Sequence, residues 1–307
     1  MAIPTVDKTY ADIKALRVQG AVRVALAAVA ALGAAAQQSR ARTVKEFETE
    51  LQKGAHMLLS ARPTEPALRN GLRFLIAQAR KQKFGSVAEG RAFVARLAER
   101  FKQEVLAQQA KIAKIGAREI SSGDVILTHC HSNNVMNVLR EAAKRKDIRV
   151  ICTESRPLYQ GRITAAELAA AHIPVTMVVD NAVHTIMHQA NVDMVMVGAD
   201  AITSSGDLIN KIGTSIIALC AYDHDIPFYS VSGSHKFDPL TLWGAPEPIE
   251  KRPAAELGWS HGGVKILNPA FDVTKARFIS AYITELGVIP PQSLTMAAWE
   301  AFGLGRR

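Results

Sequence analysis

The chain has 307 residues, 48% of them hydrophobic and 21% charged, which is the composition of a globular protein long enough for two domains or one domain with an extension. Its net charge of +9 is unevenly placed: residues 1–118 hold 21 Lys and Arg against 9 Asp and Glu, and the remainder holds 16 against 19. A basic N-terminal half suits phosphorylated ligands or is simply a solvated helical surface; with aromatic residues at only 6%, a stacking surface for nucleic acid is disfavoured, and we expect no nucleic-acid partner.

Taken in chain order, the N-terminus lacks the charged-then-apolar pattern of a secretory signal. Residues 8–116 are predicted to be helical, because Ala, Leu, Arg, Lys, Glu and Gln dominate. Breaks are expected at Gly33, at Gly54, across Arg62-Pro63-Thr64-Glu65-Pro66 and at Gly85-Ser86. The uncharged, Ala-rich stretch Val24 to Ala36 is too short to span a bilayer and reads as a packed helix, so no membrane partner is expected. Ser86 is placed to cap a helix from Val87 to about Ile115, with Glu89 at the capping-box position.

From Ser121 the texture changes. Short apolar runs (Val125–Leu127, Ile148–Cys152, Val175–Val179, Val192–Val197, Pro227–Val231) alternate with helical segments at Asn134–Lys146, Thr164–Ala171, His184–Ala190 and Ile209–Tyr222. Alternation of this kind predicts βα units around a buried parallel sheet. The expectation is an α/β protein with a helical N-terminal domain (1–118) and a Rossmann-like domain with a mostly parallel sheet (119–307). The Pro- and Gly-rich residues 240–275 read as a long active-site or interface loop.

The three cysteines, Cys130, Cys152 and Cys220, are odd in number and lack metal-type spacing, which points to a reducing compartment, the cytoplasm, and to no metal site built on them. Cys130 follows one apolar run and precedes a helix start, where free N–H groups lower a thiol pKa and bind anions. The same residue fits a buried structural thiol. Asp200, after Val195-Met196-Val197-Gly198-Ala199, is placed as a base, as a ligand to a hydroxyl or as a helix cap. Lys211 falls near a predicted helix start, where an anion would offset its unfavourable position on the helix dipole. Lys236 lies just past another strand. Arg156, in Glu154-Ser155-Arg156-Pro157, either faces the cleft or anchors a loop. A thiol and a carboxylate delivered to the carboxyl edge of one sheet make a two-residue proton-transfer site, so the chain reads as an enzyme.

Five segments together resemble one family. They are Leu127-Thr128-His129-Cys130-His131-Ser132; Thr153-Glu154-Ser155-Arg156-Pro157 with Gln160-Gly161; Gly198-Ala199-Asp200; Asn210-Lys211-Ile212-Gly213-Thr214; and Asn268-Pro269-Ala270-Phe271-Asp272-Val273-Thr274. The chain is similar over almost its whole length to the superfamily of ribose-1,5-bisphosphate isomerases, methylthioribose-1-phosphate isomerases and the regulatory subunits of the exchange factor for translation initiation factor 2. The residues after Cys130 and Asp200, and Gln160-Gly161-Arg162-Ile163-Thr164, look more like the first group. The resemblance implies a sugar-phosphate aldose–ketose isomerase with Cys130 and Asp200 as the catalytic pair. It implies substrate contacts from Gly20, Ala21, Arg62, Ser132, Asn133, Asn134, Asn210, Lys211 and Lys236. It also implies a homo-oligomer, dimer or hexamer, that needs no metal or redox cofactor. The chain departs from the pattern at Gln19, where the ribose-bisphosphate enzymes carry Arg; Arg17 and Arg23 would turn to other helix faces.

Overall fold

A computed structural model describes residues 4–63, 65–238, 241–242, 244, 249–294 and 296. The chain forms two compact units, Met1–Ala107 and Gln108–Arg307. The first is helical: α1 (Pro4–Lys14), α2 (Ala21–Gln38), α3 (Val44–Ala61), α4 (Pro66–Lys81) and the greater part of α5 (Val87–Glu119).

The predicted break at Gly33 is corrected, because Gly33 lies inside α2. A Cβ there would come within 2.6 Å of Ala98 Cβ, so the missing side chain lets α5 approach. Gly54 is likewise inside α3, with Leu32 at 3.1 Å from its virtual Cβ. Both glycines are close-packing positions rather than stops. Helix α2 contains Val24–Ala36 as expected, and although long and apolar enough to cross a membrane by length and composition, it buries 61% of its residues in the helical core. Phe47, Leu58, Leu68, Leu72 and Val94 complete that core. Thr43 and Glu46 form a capping box on α3. At α5 the Glu89 amide donates to Ser86 Oγ at 3.2 Å, whereas the Glu89 carboxylate accepts from Gly85 N instead of Ser86 N.

The last turns of α5 belong to the second unit, where Ile112 and Ala117 pack with Ile126, Val135 and Leu139. That unit continues with β1 (Val125–Thr128), α6 (Asn133–Ala143), β2 (Arg149–Thr153), α7 (Gln160–Ala170), β3 (Val175–Val178), α8 (Val183–Gln189), β4 (Met194–Val197), β5 (Ala201–Ile202), β6 (Leu208–Lys211), α9 (Thr214–Asp223), β7 (Phe228–Val231), β8 (Phe271–Thr274), β9 (Ala281–Thr284) and β10 (Gly287–Ile289). Seven strands form the main sheet in the order β10-β9-β7-β4-β1-β2-β3, all parallel except β10. The second unit is a Rossmann-like α/β fold, and β1 and β4 pair where the strand order reverses, the position at which open α/β sheets bind ligands.

The helix predicted over Ile209–Tyr222 begins only at Thr214. Leu208–Lys211 is strand β6, which pairs antiparallel with β5 and β8 in a small second sheet. Gly213, at φ 103°, ends the strand and caps α9. Asn210 and Lys211 are therefore strand residues, and the helix-dipole reading of Lys211 falls. Of the expected loop over 240–275, residues 240, 243 and 245–248 lie outside the described residues; within the remainder Lys251 bridges Pro269 and Phe271–Thr274 is strand β8.

Candidate active site

Cys130 leaves β1 in a left-handed conformation, φ 63°. Two side chains fix it there. Its amide donates to Ser155 Oγ at 2.8 Å, and its carbonyl accepts from Thr164 Oγ1 at 2.8 Å. Ser155 follows β2 and is itself at φ 63°. The Asp180 carboxylate past β3 sets that turn by accepting from the amides of Ser155 (2.7 Å) and Arg156 (2.6 Å). Three adjacent strand ends thus hold one thiol. The sequence reading omitted Ser155, Thr164 and Asp180 as functional residues; the polar cluster after each apolar run was their only signal.

Next to the thiol, His129 is buried between Thr153 Oγ1 (Nδ1, 2.5 Å) and the Ile212 carbonyl (Nε2, 2.9 Å). A carbonyl has no proton to give, so Nε2 carries the hydrogen and Nδ1 accepts from the Thr153 hydroxyl. Burial lowers the His129 pKa and keeps the ring neutral. Gly213 packs on this ring, 3.2 Å from its virtual Cβ, so His129 ties β1 to the segment that carries Lys211. Asp272 completes the support, accepting from Gly213 N at 2.8 Å and Ser215 N at 3.1 Å at the start of α9.

Asp200 follows β4 and leads into β5, not into a helix, so its cap reading is corrected; its amide donates to Ile209 O at 2.9 Å. Lys236, buried in the turn after β7, donates to the Ala199 carbonyl next to it. A Cβ on Gly198 would sit 2.8 Å from Ser132 Oγ, which places Ser132 against the Asp200 segment. Ser132, Asn133 and Asn134 open α6; Asn133 is exposed, and buried Asn134 Oδ1 has no hydrogen-bond partner among the described residues. Asn210 Nδ2 donates to Thr214 Oγ1 at 3.0 Å. Lys211 is only 8% exposed; its carbonyl accepts from Thr214 Oγ1 at 2.6 Å, and its ammonium makes no hydrogen bond or ion pair among the described residues.

The electrostatics of Cys130 differ from expectation. Burial pushes the thiol up to about 11, while the Lys211 ammonium and the His131 amide pull it down and Asp200 and Asp180 push it further up. The helix start does not outweigh desolvation. Arg156 anchors a loop: its guanidinium lies over the Tyr159 ring and donates to Leu257 O at 3.2 Å.

The second unit therefore brings Cys130, Ser132, Asn133, Asn134, Asp200, Asn210, Lys211 and Lys236 to one sheet edge. The other three positions belong to the helical unit. Gly20, at φ 85°, precedes α2, and Ala21 packs with Ala25 and with Ala67 of α4. Arg62 follows α3 and pairs with Glu65 at 3.7 Å, just before α4. Gln19 is exposed, and its amide donates to Leu16 O at 2.8 Å.

The profile of the Initiation factor 2 subunit family matches residues 17–291. The chain belongs to that family. A protein of Methanocaldococcus jannaschii named ribose 1,5-bisphosphate isomerase is 39% identical over 302 residues, covering 97% of this chain and 96% of its own. Among solved structures, a Pyrococcus horikoshii translation initiation factor eIF-2B superposes with TM-score 0.82 at 29% identity, covering 94% of this chain and 98% of its own. The 5-methylthioribose 1-phosphate isomerase of the same organism superposes with TM-score 0.82 at 28% identity, over 96% and 88%.

Proposed function

We propose that this chain is an aldose–ketose isomerase converting ribose 1,5-bisphosphate to ribulose 1,5-bisphosphate. Relatives named as sugar-phosphate isomerases, 35–39% identical over most of their length, support an isomerase. The observation that carries the site reading is Lys211: a residue only 8% exposed whose ammonium makes no hydrogen bond or ion pair among the described residues, close enough to act on the Cys130 thiol at the β1/β4 switch point. A cation held by a mostly buried side chain and left without a counter-ion is placed to receive an anion, and phosphate meets it with charge-assisted hydrogen bonds.

The chemistry follows from the substrate. C1 carries a phosphate, so the sugar is a closed ring. In the proposed sequence Asp200 gives a proton to the ring oxygen as its bond to C1 breaks. The Cys130 thiolate takes the proton from C2, leaving a C1=C2 enol. The thiol returns that proton to C1, and the Asp200 carboxylate takes the proton of the C2 hydroxyl as the ketone forms. Atoms and protons balance, and both groups end as they began. The step needs the thiolate, which the Lys211 ammonium favours and burial of the thiol opposes. Ser132, Asn133, Asn134, Asn210 and Lys236 are assigned to the sugar and one phosphate, and Gly20, Ala21 and Arg62 are assigned as substrate contacts on the family resemblance alone. We assign the chain to the cytoplasm and to a homo-oligomer, dimer or hexamer; Ile216, Leu219 and Tyr222 give α9 an exposed apolar face suited to association.

Gln19 favours a second reading, a methylthioribose-type monophosphate, because it removes a cation from the phosphate-contact segment. The deciding experiment assays ribose 1,5-bisphosphate, methylthioribose 1-phosphate and ribose 5-phosphate side by side. Turnover of the bisphosphate supports the first reading, turnover of methylthioribose 1-phosphate alone supports the second, and no turnover of any supports a non-catalytic regulatory role.

A further inference from the structure

We propose that His184, Asp223 and His224, with His188 stacked beside them, form a three-ligand binding site for a divalent transition-metal ion of the zinc class. Their juxtaposition comes from α8 and the end of α9. His184 and His188 are four residues apart on α8, so they share one helix face. Asp223 is the last residue of α9 and His224 follows it. His184 Nε2 lies 3.2 Å from Asp223 Oδ2, and one donor atom from each of His184, Asp223 and His224 falls within 4.8 Å of the others. The His224 ring is 4.6 Å from that of His184 and stacks on that of His188 with centroids 6.3 Å apart.

A second observation points to a ligand. His224 Nε2 is shielded from solvent and has no hydrogen-bond partner among the described residues. Buried polar atoms are normally satisfied, and an imidazole nitrogen is as well satisfied by a metal as by a proton acceptor. Bonds of about 2.0–2.1 Å to zinc place tetrahedral donors roughly 3.3 Å apart, so small side-chain rotations bring the three donors into range. The scaffold under them is fixed: Val183 and Met187 of α8 pack with Ile217, Ala218 and Ala221 of α9 in the core of the second unit. Imidazole with one carboxylate selects zinc, cobalt, nickel or copper over magnesium or calcium, which prefer oxygen donors. The site lies at the opposite end of α9 from Gly213, about 15 Å along a ten-residue helix. A bound ion therefore staples α8 to α9 and stands apart from the isomerase chemistry.

The test uses the full chain stripped with a chelator. Zinc titrated by calorimetry should bind one ion per chain, and zinc should raise Tm whereas magnesium should not. Cobalt(II) should give the visible absorption of a tetrahedral site. His184→Ala and His224→Ala should each weaken zinc binding at least ~10-fold, which is about 1.4 kcal/mol. The double variant should lose the Tm rise, while its metal-free Tm and its sugar-phosphate turnover stay at wild-type values. Cys130→Ser should bind zinc as wild type does. Equal zinc affinity in the wild type and the double variant, loss of binding in Cys130→Ser, or no micromolar binding in the wild type would each overturn the proposal.

Discussion

The backbone amide of Cys130 donates to Ser155 Oγ at 2.8 Å, and both residues sit at φ 63°. A left-handed non-glycine residue is strained and persists only where its surroundings fix it. Here the fixing runs from Asp180 through two amides to Ser155, and from Ser155 to Cys130. Ser155→Ala leaves the Cys130 amide without its acceptor, which should cost about 1–3 kcal/mol of stability. It should also lower kcat more than it raises KM, because the thiol loses its position rather than the substrate its contacts. Thermal melts and steady-state kinetics on one preparation check both effects; unchanged kcat would show that Thr164 alone holds the thiol.

Cys130→Ser and Asp200→Asn should each lower turnover at least ~100-fold, the scale of lost general acid–base catalysis. Circular dichroism should show both variants folded. Near-normal turnover in either would remove that residue from the proposed mechanism.

The thiol also sets a pH dependence. Its ordinary value is 9.0, and burial raises it to about 11. The thiolate is the minor form at neutral pH, and each unit of rising pH below 11 multiplies it tenfold. Alkylation of Cys130 by iodoacetamide should therefore climb through the whole alkaline range, measured as the difference between wild type and Cys130→Ser. Lys211→Met, which removes the cation favouring the thiolate, should slow alkylation at any pH below 11. The linkage has the opposite sign for stability. Between 9.0 and about 11 the folded protein binds a proton that the unfolded chain has released, so this contribution is complete below pH 9 and lost as pH rises through 11.

Much of this arrangement was legible in the sequence. Apolar runs ending in Leu127, Cys152 and Val197 announced parallel strands, and a buried parallel sheet delivers whatever follows such runs to a single edge. What misled was Ile209-Asn210-Lys211, whose apolar neighbours fit a helix as well as a strand. Pairing with Ala201 of β5 and with Val273 and Asp272 of β8, the latter more than sixty residues on, makes it β6. Glycine misled in the other direction: Gly33 stops a helix by local propensity, but contact with Ala98 makes its missing side chain an asset. The sign of the Cys130 shift was not legible either, since desolvation depends on burial by several elements at once. The spacing of His184 and His188 on a predicted helix was visible, but their partners come from another helix end.

Lys211 and Lys236 should behave differently when changed to Ala. The Lys211 ammonium has no partner to lose among the described residues, so Lys211→Ala should raise KM, and more for a bisphosphate than for a monophosphate. Lys236 donates to the Ala199 carbonyl beside Asp200, so Lys236→Ala should lower kcat as well. Kinetics with both substrate types separate these outcomes. Equal KM increases for the two substrates with Lys211→Ala would mean that it does not read the second phosphate.

Gln19 is the position at which substrate identity is most open to test. It is exposed, its amide is satisfied by Leu16 O, and it precedes Gly20 at the start of α2. Exposure means that Gln19→Arg adds a cation without disturbing packing, and the helix N-terminus that follows already favours anions. For a bisphosphate the new guanidinium should lower KM or leave it unchanged, since a cation opposite phosphate gains charge-assisted hydrogen bonds. A methylthioribose-type substrate has no second phosphate for the new cation to meet, so KM should stay unchanged or rise. Assaying both substrates with wild type and Gln19→Arg decides between them. Better monophosphate turnover by the wild type, further lost in the variant, would overturn ribose 1,5-bisphosphate as the substrate and leave the isomerase chemistry of Cys130 and Asp200 standing.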